Sequence, residues 1–445
     1  VTRDSICRLL EAFPADRLGA DMHALARRLY PLCRSITGDG NRQTLALLSD
    51  ILPLDIQEVP SGTPVLDWTV PPEWTIRDAW IRDPHGRKIV DFQASNLHVV
   101  GYSTPVRKTV PLDQLLPRLH SLPDHPDWVP YRTSYYKETW GFCVADALKQ
   151  SLPPGNYEVC IDADLRPGHL TYGELELPGT VDAEFLISTH ICHPSLANDN
   201  LSGMAVAIQL ARLLSAVPRR HTFRFLFIPG TIGSITWLAR NRERTARIRH
   251  GLVLSCLGDA GAPTYKQSRR GDAEIDRAVA HVLRRRYPSF QPQAFSPYGY
   301  DERQFGSPGF NLPAGLLTRS PHGSFPEYHT SADNLDLIHP DSLADSLRLL
   351  LETVAVVEHN AVFRNTQPFG EPMLGRRGLY DSLGGANDRH ERQMALLWVL
   401  NQSDGGPSLL DIAERSGLPF PMIRQAADQL LAAGLLAPVS AGGPP

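Results

Sequence analysis

"STHICHPSLANDNLSG", residues 188–203, joins the apolar run "EFLIST" to the helical stretch "SGMAVAIQLARLLSAV". A run that is apolar on both faces, followed by a polar loop and a helix, is the unit from which covered parallel or mixed sheets are built. The pattern repeats outward. "FRFLFIP" precedes "SITWLARNRER", "GLVLSCLGD" ends in Asp259, and "AGLLTRS" closes the series. The spacing predicts an α/β fold, a mixed sheet sandwiched by helices. Ligands of open α/β sheets bind outside the carboxyl ends of the strands. The polar residues that end these runs, His190 to Asp199, then Pro229 and Gly230, then Asp259, are therefore expected to converge.

The quoted stretch delivers His190 and His193 to a strand end and sets Asp199 ahead of the helix that begins near Ser202 and Gly203. Imidazole nitrogen and carboxylate oxygen are ligands that zinc accepts, and a catalytic zinc takes about three of them plus an open position. One histidine alone would read as a packed core residue, and Asp199 alone as a helix-capping acid. Two histidines and an aspartate in so short a span favour a metal. A second signal is "PEYHTSADN", residues 326–334, where His329 follows the last apolar run. Metal-bound histidines pass their second ring proton to a carboxylate, and Asp333 is expected to take it.

The chain has 445 residues, 42% of them hydrophobic, enough for two or three domains. Lys and Arg number 44 against 48 Asp and Glu, and no long stretch is strongly basic. That balance argues against nucleic acid or an anionic membrane as the main partner and for a small substrate. The first residues lack the layout of a signal peptide, and no run of apolar residues is long enough to span a bilayer, so a cytoplasmic protein is expected. The six cysteines are dispersed without a CxxC pair, which indicates neither a disulfide scaffold nor a zinc finger.

Residues 5 to 50 read as two helices separated by the loop "RSITGDGN". The zinc-binding unit is expected over 1–55 and 175–365. Short alternating segments such as "DAWIRDPHGRKIVDF" predict a β-rich inserted domain over 56–174, a lid or wall. The tail, 375–445, has the helix, Ser-started helix, turn and helix of a winged helix domain. From residue 376 on it carries six Arg, no Lys and seven Asp or Glu, so it is expected to serve dimerisation or packing, giving a homo-oligomer, rather than DNA.

"ANDNLSG" followed much later by "EYHTSADN" resembles the zinc exopeptidase fold of bacterial leucyl aminopeptidase and glutamate carboxypeptidase. In that fold an Asp four residues before the helix-starting Gly bridges two metals, and a His in a YHT-like loop closes the site. Asp199 and His329 stand at those positions. More closely, "LYPLCRSITGDGNR", "DWTVPPEWTIRDAWI", "YRTSYYKETWGFC", "YDERQF" and the two motifs above resemble bacterial aminopeptidase-like proteins found beside polysaccharide and natural-product genes. The resemblance spans nearly the whole chain. It implies one or two zinc ions, an inserted β domain, a C-terminal winged helix and hydrolysis of an amide or peptide bond in a small amine-bearing substrate.

Two departures stand out. The parent pattern has an Asp two residues after the first histidine, whereas "HICH" has Cys192 there. Either His190 binds the metal and His193 replaces the orienting Asp, or His193 is the ligand. Cys192 is itself a candidate soft ligand. The related proteins read "PETIGS" after the second strand, and this chain reads "PGTIGS", with Gly230 in place of the glutamate. A general base is worth a factor of about 10² to 10⁴. Glu327 and Glu302 are candidate substitutes, and Asp259 resembles the acid that completes a second metal's shell. Arg269 and Arg270, Asp301 and Tyr136 are candidate substrate contacts. A repurposed biosynthetic enzyme, forming or transferring amides, and a non-catalytic metal-binding protein are the alternatives to the hydrolase.

Overall fold

In the computed structural model, which describes residues 4–379 and 386–439, seven strands form one large sheet. They are β1 (Asp55–Pro60), β2 (His169–Leu177), β3 (Glu184–His190), β4 (Thr222–Ile228), β5 (Ile248–Leu254), β6 (Thr264–Lys266) and β7 (Ala314–Thr318). Their order is β1-β2-β4-β3-β5-β7-β6. The four central strands run parallel, and the edges are antiparallel. This is the mixed sheet that the apolar runs predicted.

Strand periodicity divides the core. Phe185, Ile187, Phe223, Phe225, Leu252 and Leu254 point to one face, covered by helices Ala15–Leu29, Gly203–Ser215, Glu274–Arg286 and Pro340–His359. Leu186, Leu226, Ile228 and Val253 point to the other, against helix Ile232–Arg240 and the inserted segment. The N-terminal region has three helices rather than two. Asp4–Glu11 and Ala15–Leu29 are separate because Pro14 lacks the N–H that a continuous helix needs. The third is Asp39–Ser49.

The inserted segment builds a four-stranded antiparallel sheet, in the order Lys88–Asp91, Glu73–Arg82, Asn156–Arg166, Val106–Pro111. The expected boundaries at 56 and 174 fall inside β1 and β2, which pair with each other in the large sheet. Trp74, Ile81, Val159 and Phe142 of the insert share one apolar core with Leu226, Ile235 and Trp237.

The winged helix consists of helices Ala386–Gln402, Leu409–Ser416 and Phe420–Ala432 and a three-stranded sheet. Ser408 caps its second helix: its Oγ accepts from Asp411 N at 3.2 Å, and the Asp411 carboxylate accepts from Ser408 N at 2.7 Å. The middle strand of the sheet is Val362–Asn365, ahead of the expected start at 375. No helix among the described residues is long and apolar enough to cross a membrane.

Candidate metal centre

The register of β3 fixes the site. His190 lies opposite Ile228 of β4, and Thr189 opposite Leu254 of β5. The loops that leave these strands, 191–199, 229–231 and 255–259, therefore lie side by side, as the strand-end argument required. Asp199 belongs to an irregular turn, Ala197–Ser202, that feeds helix Gly203–Ser215. A Cβ at Gly203 would stand 2.8 Å from Leu254 O, so only glycine lets the turn come this close to β5.

Three imidazoles converge on the fully buried Asp199 carboxylate. His190 Nε2 is 2.7 Å from Oδ1, His329 Nε2 is 3.0 Å from Oδ2, and His193 Nε2 is 3.7 Å from Oδ2. Thus both candidates from "HICH" face the same carboxylate, and His329 is brought to them from 130 residues away. Burial pushes the His193 imidazole well below its ordinary pKa, so it is neutral. Burial alone would raise Asp199, but the neighbouring His193 and His190, with hydrogen bonds from His190 and His329, outweigh it and hold Asp199 well below the carboxylate range. An anionic carboxylate beside the neutral His193 imidazole is a protonation state that suits a divalent ion. His190, His193 and Asp199 each offer a ligand atom within 4.8 Å of the others. The donor set fits zinc.

The surroundings hold these rings in place. Cys192 Sγ is 3.3 Å from His193 Nδ1, and Asn200 Nδ2 is 3.3 Å from His190 Nδ1. Arg34, fully buried, donates from Nε to His193 O at 2.8 Å and from Nη1 to Leu29 O at 2.6 Å. Burial pushes its pKa down to about 10. The loop "RSITGDGN" thus braces the metal loop, and it also reaches the insert, where Thr37 Oγ1 accepts from Trp74 N at 3.0 Å. The insert in turn supplies a wall. The Tyr131 ring lies 5.1 Å from both His193 and His329, and Tyr131 N donates to His329 O at 2.7 Å.

Gly230 has a partner. A Cβ there would stand 2.5 Å from Tyr300 Cζ and 2.7 Å from its Oη. The Tyr300 ring occupies the space into which a side chain at 230 would grow. It lies 3.9 Å from the His190 ring, with Oη 3.2 Å from Cys192 Sγ and 3.5 Å from Gly230 O.

A family model described as a domain of unknown function, DUF4910, matches residues 23–360, and a winged helix-turn-helix model matches 361–438. The chain belongs to the DUF4910 family. A Clostridium acetobutylicum protein named for polysaccharide biosynthesis and an aminopeptidase-like domain is 49% identical over 418 residues, 94% of this chain and 96% of its own. A crystal structure from Clostridium acetobutylicum, named as a peptidase, superposes with a TM-score of 0.92 at 46% identity, covering 98% of this chain and 100% of that one. The zinc aminopeptidase BSAP from Bacillus subtilis superposes with a TM-score of 0.55 at 14% identity, over 78% of this chain and 95% of its own, a likeness of fold. This chain thus pairs the DUF4910 domain with a C-terminal winged helix.

Several residues singled out in the sequence lie elsewhere or do other work. Asp333 does not orient His329. Its oxygens accept from Asn198 N at 2.6 Å and Asp199 N at 3.0 Å, so it fixes the metal loop's backbone. Burial pushes its pKa up to about 8. Asp259 is spent on Asn198 Nδ2, Gly261 N and Ser320, at 2.7 to 3.3 Å. Glu302 is fully buried and paired with Lys266 Nζ at 2.5 Å. Asp301 is buried and accepts from Ser234 Oγ at 2.8 Å, and burial raises its pKa to about 7. Arg269 and Arg270 are exposed and bond Asn311 rather than the cluster. Tyr136 packs on Trp68 at the surface, with ring centroids 5.5 Å apart, and Tyr131 takes the wall position instead. Glu327 is half-buried, and its carboxylate makes no hydrogen bond or ion pair among the described residues.

Sequence reasoning passed over Arg34 and Tyr300. Arg34 carried no signal, because an arginine in a loop is ordinarily solvated.

Proposed function

We propose that the chain is a metal-dependent amide or peptide hydrolase acting on a small amine-bearing substrate, and that this substrate belongs to polysaccharide or natural-product biosynthesis. The observation that supports this reading is the convergence of His190, His193 and His329 on one buried carboxylate, Asp199. A zinc ion held by these residues would supply Lewis acidity to an amide carbonyl and acidify water near it. Asp333 keeps Asp199 in place through its backbone. Tyr131 walls one side of the site, against the His193 and His329 rings. Glu327, two residues before His329 and uncommitted among the described residues, is the acid assigned to carry a proton to the leaving amine.

The test is metal content beside cleavage of aminoacyl amides, in the wild type and in Asp199→Ala and His329→Ala. Zinc bound to the wild type and lost from both variants, together with metal-dependent cleavage, is the expected result. Equal metal content in all three overturns the assignment.

One observation favours a second reading, a repurposed enzyme that forms or transfers amides. Tyr300 fills the space beside Gly230, where a hydrolase of this fold would set its carboxylate. If the zinc-loaded protein cleaves no amide in the panel yet binds amine ligands with a raised melting temperature, the second reading replaces the first.

The winged helix is proposed to pack rather than to read DNA. Arg424, the one cation of helix Phe420–Ala432, is buried with Nη1 2.8 Å from Cys7 Sγ. Arg277 of the sheet domain pairs with Asp411 and Glu414 on the preceding helix. A homo-oligomer through the remaining surface of this unit is read by light scattering, and a monomer at working concentration would refute it.

A further inference from the structure

We propose that the chain binds a small amphipathic carboxylate, an acid with an apolar body, in the cavity where the winged helix meets the sheet domain. The cavity shares no residue with the metal loops, and the proposal stands apart from the hydrolase reading. Its volume is about 450 Å³. Small-molecule sites span about 300 to 1,000 Å³.

Helical spacing builds the walls. On helix Pro340–His359, Arg348, Glu352, Ala355 and Val356 follow one another at intervals of one to four residues and share one face. On helix Glu274–Arg286, Val282 lies one turn before Arg285 and Arg286. The carboxyl end of this second helix lies beside the first half of the other, where Arg286 pairs with Asp345 and its Nη1 is 3.8 Å from Glu352 Oε2. The winged helix approaches from the far end, where Phe420 N donates to His281 Nε2 at 3.3 Å. The cavity is therefore graded. Val282, Ala355, Val356 and Phe420 are apolar and lie toward the winged helix, and the arginines Arg285, Arg286 and Arg348 gather one to two turns away.

The charges there do not balance. Four guanidiniums line the cavity against two carboxylates, Glu11 and Glu352. Arg424, at the apolar end, is engaged by Cys7 Sγ at 2.8 Å and Asp428 Oδ2 at 3.4 Å. Glu352 is divided between Arg286 and Arg348, whose Nε lies 3.2 Å from Glu352 Oε1. Glu11 is exposed. The Arg285 guanidinium makes no hydrogen bond or ion pair among the described residues. Cations suit the last turn of a helix, whose carbonyl end carries partial negative charge, and that accounts for the run Arg284 to Arg286. It does not account for an open apolar chamber beside two of them. Close-packed interiors leave few voids larger than a water molecule. A carboxylate head answers the planar guanidinium fork of Arg285, and an apolar body takes the wall under Phe420 out of water. A neutral head would leave Arg285 unanswered, and a cationic one would be repelled.

Isothermal titration of the full chain with octanoate, octanol and octylamine tests this. One octanoate per chain is expected, with a raised thermal midpoint. Octanol should bind about tenfold more weakly, which is what one charge-assisted hydrogen bond is worth, and octylamine should not bind. Arg285→Ala replaces an exposed side chain, so the fold should be kept while octanoate binding weakens about tenfold and octanol binding does not change. Ala355→Phe, which fills the cavity, should abolish octanoate binding with circular dichroism unchanged. No heat from octanoate overturns the proposal, as does equal affinity for octanol. Octanoate affinity indifferent to both variants places the acid elsewhere and overturns it too. So does binding that disappears when the protein is stripped of metal by a chelator, because the acid would then sit on the metal centre.

Discussion

Replacing Gly230 by alanine is expected to destabilise the protein through Tyr300, not through anything lost at residue 230. The new Cβ would lie 2.5 Å from Tyr300 Cζ and 2.7 Å from Oη, whereas carbon atoms in contact sit about 3.5 to 4.0 Å apart. The ring must therefore retreat by about 1 Å or more. It is wedged against the His190 ring at 3.9 Å and against Cys192 Sγ at 3.2 Å, so the retreat disturbs both. Overpacking of this kind costs about 1 to 3 kcal/mol. Urea unfolding of Gly230→Ala, Tyr300→Ala and the double variant measures it as a coupling energy. The double variant should be more stable than the sum of the single losses by about 1 kcal/mol or more. A coupling within about 0.3 kcal/mol of zero would refute the reasoning. The same geometry explains how a carboxylate could be returned to this position. Gly230→Glu alone has no room, so a gain in amide cleavage is expected only with Tyr300 also reduced to alanine.

Other perturbations separate structural from chemical roles. Asp259→Ala leaves the buried Asn198 amide and the half-buried donors of Gly261 and Ser320 without this acceptor, so it should cost about 2 kcal/mol in urea while zinc stoichiometry stays unchanged. Arg34→Met leaves the His193 carbonyl unpaired. About 1 to 3 kcal/mol of stability should go, and zinc should be lost to a chelator faster, whereas unchanged release would contradict a bracing role. Asp301 gives a pH signature. Burial raises its folded pKa from 3.8 to about 7, with Glu302 adding to the rise and the Ser234 hydrogen bond and Arg303 opposing it. A raised carboxyl contributes its stability below about pH 4, and that contribution is lost as pH climbs to about 7, up to about 4 kcal/mol. Asp301→Asn should therefore gain on the wild type between pH 4 and 7, and parallel stability curves would refute the assignment.

Much of the fold was legible because it rests on local pattern. The apolar runs, their spacing by helices and the polar residue at each run's end gave the sheet and the place where its loops meet. Asp199 and His329 were legible as motifs. What escaped depends on contacts between distant segments. The Gly230 and Tyr300 pairing joins residues 70 apart, and Arg34 reaches His193 across 159 residues. Neither has a local signature. Asp333 shows the limit of spacing in a loop. Four residues from His329 looked like reach for its ring, but the chain turns the carboxylate toward the backbone of the opposite loop. Asp259 and Glu302 were read as available acids, and tertiary donors absorb both.

The strand Val362–Asn365 has a consequence for how the molecule can be divided. It lies between Asp404–Ser408 and Leu436–Pro438, pairing with both, and those two do not pair with each other. A cut near 375 would leave the tail with two orphan edges and no centre. A cut just ahead of the strand would spare the sheet but break the bond from Leu410 N to Asn360 Oδ1, at 2.9 Å. Neither half is a transplantable module. The tail and the sheet domain should melt in one transition, and a lesion in either should lower the thermal midpoint of both.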